Sequence, residues 1–336
     1  MKVLRCEKPH HFAYHEMPIP SITPGETLVR IKRVGICGTD IHAFEGTQPY
    51  FNYPRVLGHE LAAEIVETSA ENFVPGELVT VIPYKSCGIC VACRHGKTNC
   101  CVSIQVMGVH IDGGMAEYFV IPNDLLIKSE GLQLDELALV EPLAISAHAV
   151  RRAKIQPQEY VLVVGAGPIG LGLIAFARIA GAHVIALDVN ESRMDFCKEK
   201  LQVQHTINAL QEDVLATLNE ITKAEIPTAI FDATGSLKAI EQSFQYLAHG
   251  GTYVMVGIQK DNISFSHPEF HKRESTLMSS RNATKDDFEY VIDCIKNKLI
   301  DPSEFITHRI PFHNLADQFN IFFELNNKII KALVDL

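Results

Sequence analysis

A chain of 336 residues exceeds what one hydrophobic core ordinarily organises, so two domains are expected, and 47% hydrophobic residues supply apolar surface for both. Charged residues are 21% of the chain, the formal net charge is -10, and lysines and arginines are scattered; this excludes a nucleic-acid footprint and leaves small molecules as the expected partners. The start, MKVLRCEKPHHF, has no apolar signal-like stretch, and the long apolar segment Ile169 to Leu187 is interrupted by Arg178, His183 and glycines, so it reads as helix then strand; no membrane partner and a cytoplasmic location are expected.

Residues 1 to about 150 alternate short apolar runs with Pro/Gly turns, and Thr27 to Arg33, Glu60 to Glu67, Leu78 to Pro83 and Glu117 to Ile121 are predicted as strands of a β-rich domain. GICGTDIH (Gly35 to His42) and GHE (Gly58 to Glu60) follow the first of these and lead into the second, so Cys37 and His59 fall in loops between strands, with the carboxylates of Asp40 and Glu60 close by in sequence. A thiolate, an imidazole and carboxylates suit a divalent metal of borderline softness, above all zinc, and Gly35, Gly38 and Gly58 would let the backbone turn beside the candidate ligands. The competing reading for Cys37 is a small buried core residue.

Nine cysteines occur in the chain, five of them between Cys87 and Cys101. Cys87, Cys90, Cys93 and Cys101 form C-x2-C-x2-C-x7-C, a set that can close a tetrahedron round zinc with no open position, which is the property of a structural site. An iron-sulfur cluster would space the fourth cysteine differently, and Cys100 could stand in for Cys101. Arg94, His95 and Lys97 put this lobe on the surface, where it could meet another subunit. VEPLA (Val140 to Ala144) opens a helix; Pro142 disfavours helix at Glu141, whose carboxylate could project from a turn, against the alternative of an exposed first-turn glutamate.

Tyr160 to Val164 is a buried-strand run, followed directly by Gly165, Ala166, Gly167, Pro168, Ile169 and Gly170 and then by the periodic apolar stretch Leu171 to Ala180. Strand, G-x-G-x-x-G loop and helix in that order are what a dinucleotide pyrophosphate requires. The next strand, His183 to Leu187, ends in Asp188, which could accept bonds from the adenosine ribose and so favour NAD over NADP, or could cap the helix Asn190 to Lys200. Strands at Thr228 to Phe231, Gly251 to Val256 and Leu277 to Ser279 continue the alternation, with Thr234, Gly235, Val256 and Gly257 at the cofactor-facing ends. A helix, Lys285 to Asn297, and a strand, Ile329 to Val334, then return the chain to the first domain.

These motifs together resemble the zinc-containing medium-chain dehydrogenases/reductases of the polyol and threonine dehydrogenase branch, over nearly the whole chain. The resemblance implies an α/β architecture in which a Rossmann doubly wound parallel sheet (residues 151–285) is inserted in a β-rich GroES-like catalytic domain (1–150, with the lobe at 87–101, and 286–336). It implies two zinc ions per chain: Cys37, His59, Glu60 and Glu141 around a catalytic one, with relatives differing over whether Glu60 or Glu141 binds directly, and Cys87, Cys90, Cys93 and Cys101 on a structural one. Asp40 would orient His59, Thr39 would sit beside the zinc-bound oxygen, His42 would take a proton through the nicotinamide ribose, and Arg193 would pack near the adenine. The implied reaction is oxidation of a secondary alcohol with NAD, by a homodimer or homotetramer. RVGICGTDIHAFEGTQPYFNYPRVLGHE, PLAISAHAVRRA, PEFHKRES and SSRNAT are closer to bacterial sugar-acid 5-dehydrogenases acting on L-galactonate or L-gulonate. A carboxylate on the substrate calls for a guanidinium, and Arg281, beside Asn282, is the candidate; Lys272 and His271 are runners-up, while Gln48 and His110 could bind hydroxyl groups. The alternatives are a polyol or threonine dehydrogenase and, from another class, a non-catalytic NAD-binding sensor.

Overall fold

The computed structural model describes residues 1–49, 51–324 and 328–336. The chain folds into two compact units, one formed by Met1–Ala144 with Asn282–Leu336 and the other by Ile145–Arg281. The first boundary falls inside the helix Val140–Ala153 and the second two residues after the strand Thr276–Ser279.

In the discontinuous unit, the described residues build a seven-stranded sheet around Glu26–Gly35, which pairs antiparallel with Glu60–Thr68, Tyr118–Pro122 and Lys331–Asp335. Leu78–Val81 and Leu126–Lys128 extend the sheet on one side and Ile306–Pro311 on the other. Leu28, Val29, Ile31, Leu61, Ala63, Ile65, Val79 and Val81 are buried along these strands, and their burial is what holds the register that brings Gly35 opposite Glu60. The C-terminal strand belongs to this sheet: Leu333 pairs with Gly35 on the side away from Glu60.

The continuous unit is a parallel sheet of six described strands in the order His205–Asn208, His183–Asp188, Tyr160–Val164, Ala229–Asp232, Thr252–Met255, Thr276–Ser279. Its core packs Leu162, Val164, Ile185, Leu187, Ile207 and Ile230 against Val214, Leu218 and Ile240 of the covering helices. The order of strands reverses between Tyr160–Val164 and Ala229–Asp232, and a doubly wound sheet takes its ligand outside the carboxyl ends of the strands at such a switch point. Among the described residues no helix is long and apolar enough to cross a membrane.

Candidate active site and cofactor loops

Cys37 caps the N-terminus of the helix Gly38–Glu45, and His59 immediately precedes the strand Glu60–Thr68. Asp40, wholly buried, ties the two loops together: one carboxylate oxygen accepts from the Cys37 amide at 2.9 Å and the other from the Gly58 amide at 3.2 Å. Its Oδ1 is 3.9 Å from His59 Nδ1, too far for a hydrogen bond, so Asp40 sets the imidazole through the backbone of Gly58 and through charge. Two of the three glycines differ from expectation. Gly58 has φ 92 and does supply a left-handed turn, whereas Gly35 ends a strand and is required because a Cβ there would lie 1.9 Å from Glu60 Oε2; a Cβ on Gly38 would meet nothing within 4 Å.

Ligand atoms of Cys37, His59 and Glu60 lie within 4.8 Å of one another. Glu141 is 2% exposed and accepts a hydrogen bond through Oε1 from the hydroxyl of buried Tyr84. It lies in the first turn of the helix Val140–Ala153 rather than in a turn before it, because Pro142 falls where a helix has no use for an N–H; the carboxylate is nonetheless inside the protein. Burial pushes the Glu141 carboxyl up to about 7, with His59 opposing the rise and Glu60 adding to it. Burial works to lower the His59 pKa, but Asp40 and then Cys37 outweigh it and carry the imidazole well above its ordinary value. Burial and the facing Glu141 carboxylate raise Tyr84 well above the ordinary phenol range, so it serves as donor.

Two polar atoms here, His59 Nδ1 and Glu141 Oε2, are buried without a hydrogen-bond partner. A buried carboxylate oxygen of Glu141 left without a partner near a thiol, an imidazole and a second carboxylate is what a site built for a cation presents, and the donors suit zinc; His59 Nδ1 faces Asp40 instead, 3.9 Å away. Lys331 completes the cluster and was not anticipated: its ammonium donates to both oxygens of Glu60, at 2.6 and 2.8 Å. The available signal was a lysine inside the otherwise apolar run IIKALV; for Tyr84, which merely follows Pro83, there was none.

Thr39 and His42 lie on the helix Gly38–Glu45, His42 exposed with Nδ1 3.2 Å from Glu45 Oε2 and 3.1 Å from Thr47 Oγ1. Gln48 follows the end of this helix, and its Oε1 is buried with no hydrogen-bond partner. His110 accepts from the Val106 amide through Nδ1 at 3.0 Å, which leaves Nε2 of the neutral ring as a donor. Arg281 ends the second unit, and Asn282, with φ 52, begins the return. His271 and Lys272 lie on the exposed helix His267–Lys272, where Lys272 is 3.8 Å from Glu269.

In the lobe, the sulfurs of Cys87, Cys90, Cys93 and Cys101 fall within 4.8 Å of one another, whereas Cys100 is exposed and outside the group. The Cys87 amide donates to Cys101 Sγ at 3.2 Å and the Cys90 amide to Cys87 Sγ at 3.4 Å. Backbone N–H groups of Ile89 and Cys90 favour the thiolate and bring Cys87 down to about 6, the form a metal needs.

In the second unit, Gly165 has φ 93, Gly170 packs so closely that a Cβ would fall 1.7 Å from the Gly165 carbonyl oxygen, and beside Gly167 there is open space for a ligand. Gly167 caps the helix Pro168–Ile179 with no side-chain acceptor, so the helix N-terminus is left to an anion such as a pyrophosphate. Asp188 accepts from the Ala166 amide of this loop and from Val189 and Asn190 at 2.7 and 2.8 Å. It does not cap the following helix: Asn190 does, accepting from Ser192 at 3.0 Å. Arg193, half-buried, is lowered by burial and raised by Asp188. The loops bearing Thr234, Gly235, Val256 and Gly257 are pinned by Asp232, whose carboxylate accepts from Thr234 and Gly235 and whose carbonyl accepts from Val256 and Gly257.

A parallel sheet with a phosphate-accepting glycine loop, joined in one chain to a thiolate, imidazole and carboxylate cluster, defines a metal-dependent nicotinamide oxidoreductase. Comparison with known proteins agrees. Residues 23–131 match the alcohol dehydrogenase GroES-like domain and residues 168–297 the zinc-binding dehydrogenase domain. L-galactonate-5-dehydrogenase of Escherichia coli K12 is 44% identical over 99% of this chain and 98% of that protein. 2-Dehydro-3-deoxy-L-galactonate 5-dehydrogenase of Pseudoalteromonas atlantica is 31% identical over 93% and 92%. The crystal structure of RspB from E. coli CFT073, described as a short chain alcohol dehydrogenase complexed with NADH, has a TM-score of 0.93 at 31% identity, covering 100% of this chain and 99% of that one. The chain belongs to the zinc-containing medium-chain dehydrogenases/reductases and is a zinc-type sugar or polyol dehydrogenase that uses a nicotinamide dinucleotide.

Proposed function

We propose that this protein oxidises the C5 hydroxyl of a six-carbon sugar acid such as L-galactonate or L-gulonate to a ketone, with NAD as hydride acceptor. The observation that carries the reading is the 44% identity, end to end, with L-galactonate-5-dehydrogenase. Zinc supplies a Lewis acid that lowers the pKa of the alcohol, and NAD supplies the hydride acceptor. Cys37 and His59, with Glu60 and Glu141 beside them, hold the catalytic zinc; Cys87, Cys90, Cys93 and Cys101 hold a structural one. Thr39 takes the alcohol proton and passes it toward His42, whose exposed ring, near Glu45 and Thr47, releases it to water. Asp188 and Arg193 bind the adenosine half of NAD, the glycine loop its pyrophosphate, and the Thr234–Gly235 and Val256–Gly257 loops the rest. Gln48 and His110 bind substrate hydroxyls, and Arg281 the carboxylate. The protein works in the cytoplasm as a homodimer or homotetramer.

The test is NAD-coupled oxidation of L-galactonate and L-gulonate against galactitol, sorbitol and threonine, in wild type and Arg281→Ala. Wild type is expected to prefer the acids. The substitution should erode that preference by about 1.5–3 kcal/mol, or roughly ten- to 150-fold in kcat/KM, the worth of one charged hydrogen-bonding contact. Galactitol or sorbitol oxidised as well as the acids by wild type would replace the sugar-acid assignment with a polyol one.

A further inference from the structure

The amino ends of three neighbouring strands in the continuous unit frame a cleft of about 240 Å³. It lies at the end of the sheet opposite the cofactor loops: the five residues of Tyr160–Val164, rising about 3.3 Å each, put roughly 15 Å between it and Gly165. Tyr160 pairs with His183, and His205 pairs with Ile185, two residues beyond His183, so the alternation of a strand stands all three side chains on one face of the sheet. Arg178, from the last turn of the helix Pro168–Ile179, and Gln202, from the connection that leads into His205–Asn208, close the cleft. Arg178 Nη2 donates to Gln202 Oε1 at 3.3 Å, which leaves most of the guanidinium fork to a ligand. His183 Nε2 is 2.9 Å from Gln158 Oε1, and its ring lies against that of Tyr160 with centroids 5.3 Å apart. Gln158 and Gln202, which hold these two basic side chains, have left-handed backbones with φ 71 and 50, a conformation that a glutamine keeps only where its surroundings impose it and that gathers at ligand sites. The Tyr160 hydroxyl and the His205 ring make no hydrogen bond to any described residue.

Charge decides what such a cleft would take. The chain carries 40 Asp and Glu against 30 Lys and Arg, yet no carboxylate lines this cleft, and a guanidinium beside two imidazoles and a phenol without a counter-carboxylate selects an anion. The volume lies below the about 300–1,000 Å³ of pockets that hold drug-sized molecules, so the anion is compact. We propose that this cleft is a second ligand site, separate from the cofactor loops, for a small oxyanion that the Arg178 guanidinium grips and His183, His205 and Tyr160 surround. The experiment titrates the zinc-loaded, NAD-saturated protein calorimetrically with inorganic phosphate and, separately, with malonate; the bound dinucleotide keeps either anion from the glycine loop. Wild type should bind at one site, and Arg178→Ala and His205→Gln should each weaken binding at least about tenfold, the loss of one charge-assisted hydrogen bond. Lys198→Ala, which removes an exposed cation outside the cleft, should leave the affinity unchanged. Binding of either anion with this dependence supports the site, and the tighter of the two tells whether the natural ligand presents a phosphoryl or a carboxylate group. No binding of either anion in millimolar titrations, binding that survives both cleft variants, or an equal loss in Lys198→Ala would overturn the proposal.

Discussion

Gly35→Ala offers a direct measure of how tightly the strand register and the buried ion pair depend on each other. The added methyl would lie 1.9 Å from Glu60 Oε2 and 2.9 Å from Glu60 Cβ, the first about 1.5 Å or more short of ordinary contact. The strand cannot retreat, because Gly35 is paired with Glu60 on one side and Leu333 on the other, and the next residue, Ile36, donates its amide to Ala332 at 3.0 Å. The carboxylate must move instead and give up its 2.6 and 2.8 Å bonds from Lys331. Overpacking alone costs about 1–3 kcal/mol. Separating a buried pair costs about 3–5 kcal/mol. The two overlap, since the same displacement causes both, so the expected loss is about 3–5 kcal/mol. Urea unfolding of the zinc-loaded protein, followed by far-ultraviolet circular dichroism, gives the total. Hydrogen exchange at the Ile36 amide locates it, which matters because two units and bound metal need not unfold in one step. Gly38→Ala is the control: its Cβ meets nothing within 4 Å, and alanine at a helix start should be neutral or stabilising by up to about 1 kcal/mol. A Gly35→Ala protein within about 1 kcal/mol of wild type would refute the reasoning.

Metal analysis of active wild type should give two zinc ions per chain. Cys37→Ser should abolish turnover in a folded protein, Cys90→Ser should chiefly lower stability or disturb assembly, and Cys100→Ser should do neither, because Cys100 lies outside the sulfur cluster. A single zinc in active protein, or iron in the lobe, would contradict the two-site reading. Asp188→Asn should narrow a preference for NAD over NADP and also loosen the glycine loop, since the carboxylate accepts from the Ala166 amide; equal kcat/KM for both cofactors in wild type would remove Asp188 from the discrimination.

What could be read in the chain was local. The strand Tyr160 to Val164 lies where its valine-rich apolar run put it, and the glycine loop and helix follow as the phosphate motif demands, because strand, turn and helix propensities act over a few neighbouring residues. The four-cysteine lobe was equally legible, since its members lie within fifteen residues and a short loop brings their sulfurs together whatever the rest of the fold does. The choice between Cys100 and Cys101 was not legible, because both satisfy the spacing and only the local turn decides which sulfur points inward.

The metal cluster shows the division more sharply. Cys37, His59 and Glu60 were identifiable as chemistry, and the resemblance joined Glu141 to them. That Glu141 is buried inside a helix, that Tyr84 donates to it, and that Lys331 occupies both oxygens of Glu60 follow from tertiary contacts between residues up to 271 positions apart. Periodicity tells which face of a strand is apolar but not which strand lies next to which. A lysine in an apolar run therefore looks like a misplaced charge until the register sets a carboxylate beside it, and a glycine at a strand end looks like a turn until the structure shows that the space of its missing side chain is taken by that carboxylate.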